Sequence, residues 1–217
     1  MCADRVATAV SEVEIEAGPA TLPGRLALHA QCRGIVAFAH GSGSSRLSPR
    51  NLEVANALER LGFGTLLFDL LSESEAASRE RVFDIPLLGE RLVAATRWLR
   101  KREQDLPVCY FGASTGAAAA LFAAAELGEE VAAVVSRGGR PDLAGARLPH
   151  VTAPTLLIVG SEDPVVLDLN REARAKLRCP TELVVIPGAG HLFEEPGALE
   201  AVAAHAGEWF ERYLATA

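Results

Sequence analysis

Ser114 sits in Gly112-Ala113-Ser114-Thr115-Gly116, between an apolar run over 107–111 and an alanine-rich run over 117–125. Small residues around a serine let a strand turn sharply into a helix, and such a turn leaves the hydroxyl exposed at its tip. The helix that begins there points backbone N–H groups at any negative charge developing beside the serine. A serine hydroxyl at its ordinary pKa is a poor nucleophile; it needs a base within hydrogen-bond reach and a group that fixes the base's tautomer. Asp163 follows the apolar run over 155–160, and His191 lies in Pro187-Gly188-Ala189-Gly190-His191, after the run over 182–186. The expected roles are Ser114 as nucleophile, His191 as base and Asp163 as its orienter. Asp69 also ends an apolar run, 65–70, and competes for the place of the acid. The competing reading of Ser114 is a helix cap in a glycine-lined turn.

A carbonyl under attack also needs donors for its oxygen. One is the backbone N–H of Thr115, just after the nucleophile. The other is expected from Ser42, in the loop His40-Gly41-Ser42-Gly43 that follows the apolar run over 34–39. His40 precedes a glycine-rich loop, which suits it to fixing that loop by a hydrogen bond rather than to acting as a base. Arg137 and Arg140 follow the run over 131–136 and could hold an anionic substrate by paired hydrogen bonds. A structural ion pair or a solvated loop competes with that reading. Phe83, Leu87 and Leu88 are candidate walls of an acyl pocket.

The elements that must position these residues follow from periodicity. Residues 11–17 alternate polar and apolar, and 22–29 return after Gly18-Pro19, so an antiparallel edge hairpin is expected. The runs 34–39, 65–70, 107–111, 131–136, 155–160 and 182–186 are continuously apolar, as strands covered on both faces are. Helical spacing is expected over 49–61, 87–104, 117–128, 165–178 and 196–214, and 72–81 reads as a polar loop or short helix. The alternation predicts one α/β domain over 1–217: an open, mainly parallel twisted sheet with helices on both faces. Ligand chemistry gathers beyond the carboxyl ends of such strands. Residues 137–154 leave no room for a large cap domain, so a shallow, open site is expected.

A chain of 217 residues that is 49% apolar can build a sizeable core without staples. Its net charge of −7 argues against a nucleic-acid partner or an anionic membrane surface. Cys2, Cys32, Cys109 and Cys179 show neither C-x-x-C spacing nor a disulfide framework, and Cys109 reads as a small core residue. No run approaches the roughly 18 apolar residues of a membrane span, and the acidic N-terminal stretch is not that of a signal peptide. A cytoplasmic setting is expected. A homo-oligomer stays open.

Four stretches together resemble the α/β-hydrolase superfamily: Phe38-Ala39-His40-Gly41-Ser42-Gly43, Gly112-Ala113-Ser114-Thr115-Gly116, Gly160-Ser161-Glu162-Asp163 and Gly188-Ala189-Gly190-His191-Leu192-Phe193. The short chain and Ser136-Arg137-Gly138-Gly139-Arg140-Pro141-Asp142 further resemble the dienelactone hydrolase-like branch. The resemblance covers nearly the whole chain. It implies acyl hydrolysis through a covalent acyl-enzyme, without metal or cofactor, and its Ser, Asp, His order favours Asp163 over Asp69. Typical dienelactone hydrolases use a cysteine nucleophile, so Ser114 points to a serine esterase rather than to activity on dienelactone. The expected function is a carboxylesterase acting on a small-molecule acyl substrate. A thioesterase, peptidase or acyltransferase on the same triad stays open, as does a non-catalytic binding or sensor protein on this fold.

Overall fold

Alternate residues of the central strands feed two different cores. In the strand Ile35–Ala39, Ile35, Ala37 and Ala39 join one buried cluster while Val36 and Phe38 join the other. In Val108–Ala113, Tyr110 and Cys109 divide in the same way. A strand buried on both faces has no polar side to show, which is why these runs are continuously apolar.

The computed structural model describes residues 8–214. Its strands are β1 (Ala9–Ala17), β2 (Ala20–Leu28), β3 (Ile35–Ala39), β4 (Gly64–Phe68), β5 (Val108–Ala113), β6 (Val131–Arg137), β7 (Thr155–Gly160) and β8 (Thr181–Ile186). They form an eight-stranded sheet in the order β1-β2-β4-β3-β5-β6-β7-β8. From β4 through β8 neighbouring strands are parallel, and the β1–β2 hairpin joins by pairing β2 antiparallel to β4. The helices are α1 (Pro49–Arg60), α2 (Glu73–Ala76), α3 (Arg79–Val82), α4 (Ile85–Arg102), α5 (Thr115–Leu127), α6 (Pro164–Lys176) and α7 (Ala198–Leu214). Helices α1 and α7 feed one core through Val54, Leu58, Trp209 and Phe210; α4 and α5 feed the other through Leu92, Leu99 and Leu121.

Two expectations change. The run 182–186 is not covered on both faces: β8 has β7 on one side only, and just Ile186 of it is buried. The stretch 72–81 is neither a single loop nor a single helix. It forms α2 and α3, each started by a serine, Ser72 and Ser78, whose side chain accepts a backbone N–H of the first turn. Arg91, buried on α4, ties this segment down by donating to the Glu75 carboxylate at 3.0 Å and to the Ala17 carbonyl. Between β6 and β7 the chain forms 3-10 turns over Pro141–His150 and no cap. No described helix is long and apolar enough to cross a membrane. Cys2 lies outside the described residues; Cys32, Cys109 and Cys179 are free.

Candidate active site

Strand β5 ends at Ala113 and helix α5 starts at Thr115, so the whole reversal falls on Ser114. Its backbone takes φ 50° and ψ −121°, a region that favours glycine. Three backbone hydrogen bonds hold it there. Ser114 N–H donates to Arg137 O at 3.2 Å, and Ser114 O accepts from Ala117 N–H at 3.1 Å and Arg140 N–H at 3.0 Å. The flanking glycines are required by proximity. A Cβ on Gly112 would lie 2.5 Å from Ala117 Cα, and one on Gly116 would lie 2.1 Å from Ala39 O. Ser114 makes no side-chain cap bond to α5, which leaves its hydroxyl available. Strain of this kind costs about 1–3 kcal/mol. Ser114→Gly should therefore unfold at a higher temperature than Ser114→Ala, the reverse of the usual glycine penalty. Thermal unfolding of the two variants checks this.

Asp163 occupies the N-cap position of α6 but makes no side-chain cap bond. Its Oδ2 instead lies 2.6 Å from His191 Nδ1. That pairing places the ring proton on Nδ1 and leaves Nε2 as the basic nitrogen. Several contacts shape the loop that carries His191. Gly188 N–H donates to Ser161 Oγ at 2.8 Å, and Gly190 N–H donates to Glu195 Oε1 at 3.0 Å. Phe193, buried with φ 57°, anchors the far side of the loop.

Ser114 and His191 line one cleft of about 230 Å³, together with Ser42, Asn51, Arg137 and Gly138. An adjoining cavity of about 680 Å³ shares Gly41, Ser42 and Ser44 with it, and Leu70, Leu71, Val82 and Leu88 contribute apolar wall. Of the three acyl-wall candidates, Leu88 lines this cavity. Leu87 packs against the core from a half-buried position, and Phe83 is exposed at the end of α3 and lines neither space. Ser42 N–H donates to Thr115 Oγ1 at 2.8 Å, so in this structure the two expected oxyanion residues are bonded to each other.

Asp69 and His40, the competing acid and base, are both engaged elsewhere. Asp69 Oδ1 accepts from Arg46 N–H at 2.7 Å and Oδ2 from Arg46 Nη1 at 2.5 Å, which pins the 41–48 loop and engages both carboxylate oxygens. His40 Nε2 accepts the Leu70 N–H at 3.0 Å and its Nδ1 lies 3.0 Å from Gly41 O, so the imidazole is neutral, bound at both nitrogens, and fixes its loop. Burial holds its pKa below the ordinary 6.5. The unfolded chain then takes up a proton that the folded one refuses. Stability from neutral His40 is complete above about pH 6.5 and is lost as pH falls from there toward the lower folded pKa. The acid limb of stability against pH should be shallower in His40→Gln than in the wild type between pH 7 and 5. Equal slopes would remove His40 from the account. Burial pushes the Cys109 thiol up to about 12, so it stays protonated and inert.

The two arginines part company. Arg140 donates Nε and Nη2 to Asp142 at 2.9 and 2.8 Å, a structural fork. Arg137 is only 7% exposed, stacks 5.8 Å from the Phe193 ring centroid, and has no hydrogen-bond partner for Nε or Nη1 among the described residues. Sequence reasoning missed Arg46, Asn51 and Phe193. Ser48-Pro49, a helix-start signal, was the available pointer to Asn51, since it sets the first turn of α1 at the carboxyl edge of the sheet.

The family model described as the Dienelactone hydrolase family matches residues 29–216 of the chain. The chain is 55% identical to a dienelactone hydrolase from Anabaena variabilis ATCC 29413, whose crystal structure superposes with a TM-score of 0.92 over 95% of this chain and 98% of that one. It is 57% identical over 205 residues to two Mycobacterium tuberculosis proteins that carry a provisional phosphoribosyl transferase name. The match takes in 94% of this chain but 46% of those proteins, so the chain spans less than half the length of these curated relatives. Est1E from Butyrivibrio proteoclasticus shares the fold at 15% identity, with a TM-score of 0.80 over 94% of this chain and 99% of its own.

Proposed function

The chain belongs to the dienelactone hydrolase family, and on that footing we propose that it is a serine hydrolase cleaving small carboxylic esters. The observation that carries the reading is the 2.6 Å pairing of Asp163 with His191, whose ring lines the same cleft as the strained Ser114. Ser114 Oγ attacks the acyl carbonyl while His191 Nε2 takes its proton. The tetrahedral oxyanion is met by the N–H of Thr115, at the start of α5, and by the N–H of Ser42. Until substrate arrives, the Thr115 hydroxyl serves as acceptor for the Ser42 amide. His191 then protonates the leaving alcohol, and water, deprotonated by the same nitrogen, hydrolyses the acyl-enzyme. Asp163 holds the tautomer and stabilises the imidazolium. No step calls on a metal or cofactor, and no nucleic-acid or membrane partner is proposed. A cytoplasmic setting is consistent with free Cys32, Cys109 and Cys179.

Mixing the protein with p-nitrophenyl acetate tests this reading. A burst of p-nitrophenol stoichiometric with protein, followed by steady turnover, supports the acyl-enzyme. Turnover that is the same in His191→Ala would overturn it.

A further inference from the structure

The 230 Å³ cleft beside Ser114 has an unusual wall for an ester site. Arg137 is 7% exposed, and neither Nε nor Nη1 has a hydrogen-bond partner among the described residues. A buried guanidinium without a counter-charge is costly to keep, so its persistence asks for a compensating group. The remaining wall is only partly paired. Arg50 donates Nη1 to Glu194 Oε1 at 3.0 Å, while its buried Nε has no partner among the described residues. Asn51, 3% exposed, has an Oδ1 with no partner among the described residues. Both belong to the first turn of α1, a helix of 12 residues with no acid in its first turn, whose N-cap Ser48 accepts the Asn51 N–H through its side chain. The hydroxyl-bearing Ser44 and Ser48 also line the cleft.

We propose that this wall is a phosphate subsite, and that the ester cleaved at Ser114 carries a phosphate group seated between Arg137 and the start of α1. This deepens the ester-hydrolase reading and rests on it. Two guanidinium groups, that of Arg50 also paired with Glu194, supply donors from separate directions, which three phosphate oxygens can use and two carboxylate oxygens cannot. Asn51 Oδ1 is an acceptor, and a phosphate monoester, whose second proton leaves near pH 6, can still offer an O–H where a carboxylate cannot. Arg137 remains charged at neutral pH, although burial, and then the neighbouring Arg50, bring its pKa down to about 10.

The test separates binding from turnover. In Ser114→Ala, inorganic phosphate should raise the unfolding temperature more than sodium chloride or acetate at equal ionic strength. Adding Arg137→Met should remove the difference. Arg137→Met alone should unfold no earlier than the wild type, because it removes a buried unpaired charge; a structural arginine would give a clear loss. For activity, phenyl acetate, 4-acetoxybenzoate and 4-acetoxyphenyl phosphate are compared. The wild type should favour the phosphate ester over the neutral one by about 10-fold or more in kcat/KM, and Arg137→Met should erase that ratio. A preference for the benzoate, or equal salt effects in both backgrounds, overturns the proposal. Phosphate binding without turnover of any ester would sink the hydrolase reading and leave the subsite standing.

Discussion

Ser114→Ala is expected to lower kcat/KM for p-nitrophenyl acetate by about 10⁴-fold or more while the protein still folds. The size follows from the chain of dependence in the cleft. Without the hydroxyl there is nothing for His191 to deprotonate, so the residual rate is that of water in a site that still presents backbone donors. His191→Ala gives a loss of the same order, and the double variant costs little more than either single one, because the two residues act as a unit. Asp163→Asn keeps the side-chain shape but offers an amide N–H to His191 Nδ1, which turns the ring to the wrong tautomer. Its expected loss is also about 10⁴-fold. Steady-state kinetics on the four variants, with circular dichroism to verify folding, decide this. Additive losses would contradict a coupled triad.

Gly116→Ala is expected to prevent folding, at a cost above about 4 kcal/mol. A Cβ there would meet Ala39 O at 2.1 Å, and Ala39 C and His40 O at 2.6 Å. All three are backbone atoms of the end of β3 and the loop after it, so no flexible side chain can swing away. Relief would require α5 to back off from β3, which would move Ser114 and the His40 loop apart. Gly43→Ala is the control: with φ +68° and nothing within 4 Å, it bears only the local cost of that conformation, about 1–2 kcal/mol. Soluble yield and thermal unfolding of the two variants check the contrast.

The strand–turn–helix around Ser114 was legible because its physics is local. Gly112 and Gly116 stand where the backbones approach, and the alanines of α5 let that helix be buried almost all round. Asp163 and His191 were legible because each follows an apolar run whose end must lie at one edge of a parallel sheet. Other features depend on partners far along the chain. Nothing near Asp69 announces that Arg46 takes both its oxygens. Arg137 and Arg140 look alike in sequence, yet Asp142 pairs with one while Phe193 covers the other. The exposure of β8 follows from strand order, which a strand's own residues do not encode. The capping pattern Ser72-x-x-Glu75 did announce α2, and that signal was available in the sequence.

Fluorophosphonate labelling read by intact mass decides whether Ser114 is an activated nucleophile, since the reagent reports such a serine whatever the substrate. One rapid adduct is expected on the wild type, mapped to Ser114, and none on Ser114→Ala or His191→Ala. A folded wild type that stays unlabelled, or a Ser114→Ala protein that labels as fast, would contradict it.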